Sequence, residues 1–139
     1  MISKKQSLTL VAVTVALSLA YACGGSSTSP SPTPGGGGTG SPGTVGATIT
    51  IDSNGALSPA TVTIKSGESV RFVNNHTSTH QMSSDPHPNH NDCPLINTLP
   101  TLDRGQSGQT SGLTTVRTCG IHDHLDETNL ALRGIIIIQ

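Results

Sequence analysis

Period-two alternation of branched apolar and polar residues runs through the second half of the chain. Ala47-Thr48-Ile49-Thr50-Ile51 alternates, and so does Thr61-Val62-Thr63-Ile64-Lys65, which puts Val62 and Ile64 on one face. Ser66-Gly67-Glu68 reads as a turn, after which Val70, Phe72 and Asn74 carry the alternation along Ser69-Val70-Arg71-Phe72-Val73-Asn74-Asn75. Gly105-Gln106-Ser107-Gly108 is a second turn signal. Residues 110–118 are expected to supply one or two strands, residues 126–132 a short helical turn, and residues 133–139 the last strand. Four consecutive isoleucines, Ile135 to Ile138, fit a strand buried on both faces better than an edge strand. No long amphipathic helix and no internal repeat is visible. Short strands with regular turns predict an all-β domain, a sandwich or barrel.

The first half has none of this pattern. Lys4 and Lys5 precede an uncharged stretch from Leu8 to Ala22, and Ala20-Tyr21-Ala22-Cys23 follows. A basic start, an apolar stretch and small residues before a cut site make a secretory signal over residues 1–22. The apolar stretch is shorter than the ~20 residues that a spanning helix needs. A Cys directly after the small residues resembles the lipobox of bacterial lipoproteins, which implies acylation of Cys23 and a lipid anchor. Residues 23–46 are Gly, Ser, Thr and Pro with almost nothing apolar, so they cannot offset their ordering entropy. They are expected to form a flexible tether that holds residues 47–139, one small domain, away from a membrane. The expected location is the cell envelope, lipid-anchored and facing the periplasm or the exterior.

Charge narrows the partners. Without Lys4 and Lys5, five Lys and Arg face eight Asp and Glu, a mildly acidic balance that argues against nucleic acid or anionic lipid. Phe72 is the one aromatic outside the leader, so the core must rest on Val, Ile and Leu. A domain of this size is marginal without a staple or a metal.

Two groups of residues carry chemistry. All six histidines fall between residues 76 and 124, in three short pairings: His76 with His80, His87 with His90, and His122 with His124. His122 and His124 share one side of an extended strand. Asp85, Asp92 and Asp123 are close enough in sequence to orient imidazoles. His76 by itself reads as a solvated loop residue. Cys119 lies three residues before His122, in Arg117-Thr118-Cys119-Gly120-Ile121-His122-Asp123-His124, just ahead of the isoleucine strand. A thiolate with imidazoles is a ligand set that copper prefers.

Residues 57–75, with Pro59, the alternating strand, the Gly67 turn and a strand ending in Asn74-Asn75, resemble the front half of a small cupredoxin, the plastocyanin and azurin group. Cys119-Gly120-Ile121-His122 is similar to that group's ligand loop, and residues 134–139 to its closing strand. The resemblance implies a cupredoxin-like Greek-key β-sandwich. It also implies one copper ion held by His80, Cys119 and His122, and electron transfer to a redox partner protein. The chain is expected to be a monomer, and an electron carrier or metal-binding module more than an enzyme. Three departures stand beside it. Leu125 occupies the place where an axial Met is often found, and Met82 does not match that Met. Arg117 and Thr118 replace the aromatic that often precedes the Cys. The polar stretch Ser84-Asp85-Pro86-His87-Pro88-Asn89-His90-Asn91-Asp92-Cys93-Pro94 is an insertion that a simple electron carrier does not need.

That insertion opens two alternatives. If Cys23 is acylated, Cys93 and Cys119 are the remaining thiols in an oxidising compartment, where two cysteines form a bridge. A Cys93–Cys119 disulfide would leave a histidine-only copper or zinc module, with His80, His122 or His124 and the further candidates His87 and His90. A metal-free, disulfide-stabilised interaction domain is the third reading.

Overall fold

A computed structural model describes residues 43–139. The expected leader, Cys23 and the expected tether as far as residue 42 lie outside the described residues. Eight strands form two four-stranded mixed sheets. In chain order these are β1 (Val45–Ile51), β2 (Leu57–Ser58), β3 (Thr61–Ile64), β4 (Ser69–Asn74), β5 (Met82–Ser84), β6 (Ser107–Gln109), β7 (Arg117–Asp123) and β8 (Gly134–Ile138). Two 3₁₀ turns, Ile96–Thr98 and Leu130–Leu132, are the helical elements among the described residues.

The first sheet runs β2-β1-β4-β6 and the second β3-β8-β7-β5. β1 lies parallel to β4, and β3 parallel to β8. Period-two burial follows the sequence pattern: Val62 and Ile64 of β3 are buried between exposed threonines. The core joins Ile49, Ile51, Val70 and Phe72 from the first sheet to Ile64, Ile121, Ile136 and Ile138 from the second. The turns follow local chemistry: Gly67 and Gly105 adopt φ of 90° and 81°, a left-handed geometry that favours glycine.

Three expectations need correction. β1 begins at Val45, so the end of the expected tether is already part of the sheet. Residues 110–116 carry no strand; the strands instead flank them, as β6 before and β7 after. The isoleucine strand β8 is interior in strand order, between β3 and β7, but only Ile136 and Ile138 are buried, whereas Ile135 is 42% exposed. The run is uniform in chemistry, so only its place in the sandwich tells its two faces apart.

Candidate metal centre

β7 carries the chemistry on two faces. Alternation sends Cys119, Ile121 and Asp123 to one side and Gly120 and His122 to the other, with His124 following one residue past the strand end. Pairing with β5 on one side and β8 on the other fixes this register, with Ser83 opposite His122 and Ile136 opposite Cys119.

The segment after β5 folds back over the His122 face. The Asp85 N–H donates to the Gly120 carbonyl, and the Asp92 N–H returns to the Asp85 carbonyl. His90 has φ of 50°, the one non-glycine residue at positive φ among those described. Its carbonyl accepts from Ser84 Oγ at 2.8 Å and Asn97 Nδ2 at 2.6 Å, and its N–H donates to the Pro86 carbonyl. These three bonds hold a backbone conformation that costs energy for a side chain bearing a Cβ.

The result is a group of four imidazoles, His87, His90, His122 and His124, each offering one nitrogen within 4.8 Å of the other three. His90 is central, with ring centroids 5.1 Å from His87, 5.1 Å from His122 and 4.9 Å from His124. Two rings are backed by carboxylates. His122 Nδ1 lies 2.6 Å from Asp85 Oδ1, and His87 Nε2 lies 2.6 Å from Glu127 Oε2. A carboxylate only accepts, so each of those nitrogens carries the proton and the opposite nitrogen of a neutral ring carries the lone pair. For His122 that opposite atom, Nε2, is fully buried and has no hydrogen-bond partner. A buried polar atom without a partner is costly and calls for an explanation. A cation among the four rings would supply one. Burial, and then the neighbouring His122, His124 and His87, push the His90 pKa below its ordinary value of 6.5, which keeps it neutral and able to ligate.

His80 belongs elsewhere. It is buried on the Asp123 side of β7, with Nδ1 2.6 Å from Asp123 Oδ2 and Nε2 2.8 Å from His76 Nδ1. His76 is therefore bonded and half-buried rather than a freely solvated residue. His80 and His122 point to opposite faces, and the expected trio of His80, Cys119 and His122 does not assemble. Cys119 is fully buried and joined to Cys93 in a disulfide, with Cα atoms 5.9 Å apart, so it offers no thiolate. Two physical facts account for the correction. Alternation separates Cys119 from His122, and the insertion brings Cys93 to the core side of β7. Met82 is buried in the core and Leu125 is exposed, and neither is a ligand.

The pairings of His87 with His90 and of His122 with His124 stand in the structure as the spacing suggests. Glu127 and Asn97 had no sequence signal pointing to the site, while Ser84 and Gly120 stood inside the two stretches singled out but with no role of their own. A Cβ on Gly120 would collide with the Asp85 carboxylate, so the bare strand position is what lets Asp85 reach His122.

No protein-family model and no curated protein sequence matches the chain. Solved structures do. A purple cupredoxin from Nitrosopumilus maritimus is 17% identical, with a TM-score of 0.54, over 67% of this chain and 99% of that one. The fold is that of the cupredoxins. An oxidised plastocyanin from Dryopteris crassirhizoma is 15% identical at a TM-score of 0.52, covering 66% of this chain and 99% of the other. A reduced amicyanin variant is 14% identical at 0.52, covering 71% and 85%. The cupredoxin-like domain thus spans essentially all of the first two relatives.

Proposed function

We propose that this protein is an exported, lipid-anchored copper-binding module that holds one ion with histidines alone. The observation that carries this is the convergence of His87, His90, His122 and His124 on one point, with the buried Nε2 of His122 left without a partner. Imidazole suits copper and zinc alike, and copper(II) lies above zinc in affinity for such donors. Bound copper would supply a one-electron couple. The protein's own part is to hold the donors: Asp85 keeps the proton on His122 Nδ1, and the bonds of Ser84 and Asn97 to the His90 carbonyl fix the loop. The Cys93–Cys119 bond supports an oxidising compartment, in keeping with the leader and tether read from the sequence.

The test uses the purified protein. Thiol titration should detect neither Cys93 nor Cys119. Added Cu(II) should bind at one per chain, outcompete Zn(II), and give only weak visible absorption. His122→Ala should lose uptake. An intense thiolate-to-copper band would restore the electron carrier based on Cys119. Full uptake by His122→Ala would remove this site from the reading. Equal melting temperatures with and without chelator, at no measurable uptake, would favour the metal-free interaction domain.

A further inference from the structure

The two prolines around His87 fix its backbone but not its ring. Pro86 and Pro88 each lock their own φ near −65°, so the chain leads into and out of His87 in a set direction. The side chain is about one-third exposed, so packing does little to choose between its two ring orientations. A half-turn of the ring about its bond to the chain puts a carbon where each nitrogen stood, and the tautomer sets which nitrogen carries the lone pair. The choice matters because a metal takes one nitrogen and not the other.

One contact makes that choice. Glu127 lies in the connection between β7 and β8, far from the insertion in sequence, and its carboxylate meets His87 Nε2 at 2.6 Å. The other nitrogen of the same ring, Nδ1, then lies 3.2 Å from His90 Nε2, inside the cluster. His122 has the reverse arrangement, with Nδ1 on Asp85 and Nε2 left facing inward. We propose that Glu127 is the positioning residue that turns His87 Nδ1 into the metal site, giving a mixed donor set in which His87 ligates through Nδ1 and His122 through Nε2. This rests on the histidine-only reading above. It adds to it that the β7–β8 connection closes the site from outside, by a hydrogen bond between two partly exposed side chains.

The contact is also the most accessible one in the site. The Glu127 side chain is 44% exposed, and its backbone carbonyl is separately held by Arg133 Nη2 at 2.9 Å. Removing the carboxylate therefore leaves the connection anchored. Loss of such an orienting partner typically weakens metal binding by about 10–100-fold.

The test is nitrogen-15 NMR on the purified protein loaded with cadmium-113, with couplings from the metal identifying each donor nitrogen. Wild-type protein should show coupling to His87 Nδ1 and His122 Nε2. In Glu127→Ala the His87 Nδ1 coupling should vanish, or be replaced by Nε2, while His122 Nε2 is retained. Metal release into chelator should become about tenfold faster. Glu127→Gln, which keeps an acceptor oxygen, should restore Nδ1 ligation. Coupling through His87 Nε2 in the wild type, or donors and release rate unchanged in Glu127→Ala, would overturn the proposal while leaving the four-histidine site intact. Wild-type protein that shows no cadmium coupling to any of the four histidines would overturn that site as well.

Discussion

Gly120 contributes by having no side chain. It sits on the His122 face of β7, and Asp85 occupies the space a Cβ would take. Gly120→Ala should push the carboxylate off His122 and free its ring to turn. We expect copper affinity to fall by about tenfold, measured by chelator competition, with the β-sheet spectrum preserved. Two ionisable residues contribute to the pH response. His90 titrates below its ordinary 6.5 in the folded protein because of burial and the neighbouring rings. The unfolded chain then takes up its proton first, so the His90 contribution is complete above 6.5 and is lost as pH falls through and below that value. Asp52 is also held below its ordinary 3.8, by backbone N–H groups of Ala56 and Asn54. Its contribution is complete above 3.8 and is lost only as pH falls below that. Melting temperatures of the metal-free protein between pH 8 and 3 should show both declines, and His90→Gln should lessen the upper one.

At the scale of elements, β7 decides what meets what. A slip of one residue in its pairing with β8 would send His122 inward and Cys119 outward, so register is as functional here as any side chain. The Cys93–Cys119 bond ties the inserted segment to that strand across a separation of 26 residues. Closing a loop of that length stabilises a small domain by about 3.5 kcal/mol in the chain-entropy account. The Cys93→Ser/Cys119→Ser double variant should lose roughly that much in urea unfolding. Where it remains folded it should still bind one copper, because the thiols lie on the face away from the imidazoles. Loss of binding by the folded double variant would mean that sulfur belongs to the site. The pattern of residues 110–118 suggested strands, yet Thr110 is instead fully buried and its hydroxyl accepts from the Val70 N–H at 3.0 Å. A side-chain oxygen there does work that a ladder bond would do, and no periodicity signals it.

At the scale of the whole molecule, one aromatic ring anchors an otherwise aliphatic core. Phe72 is fully buried on β4, between β1 and β6. Phe72→Ala should cost about 3–5 kcal/mol, a large share of what a domain this small has to spare. We expect a broadened or absent thermal transition, partly restored by saturating copper if the site binds only the folded state. The sandwich was legible from residues 47–75 because alternation, turn glycines and branched residues all act over a few positions. The paired histidines were legible for the same reason: spacings of two and three are set by the local chain. What could not be read locally was which pairs meet. Burial of Asp123 beside His80, and of Cys119 beside Cys93, draws those residues to one side of β7. His122 and His124 are left on the other, where the insertion covers them. The sequence by itself determined an all-β domain with imidazoles held in pairs, since those are consequences of neighbours along the chain. Only the tertiary structure decided that the sulfurs pair with each other and that four rings share one point. Strand register and the path of a polar loop fix those contacts, and both depend on residues dozens of positions apart.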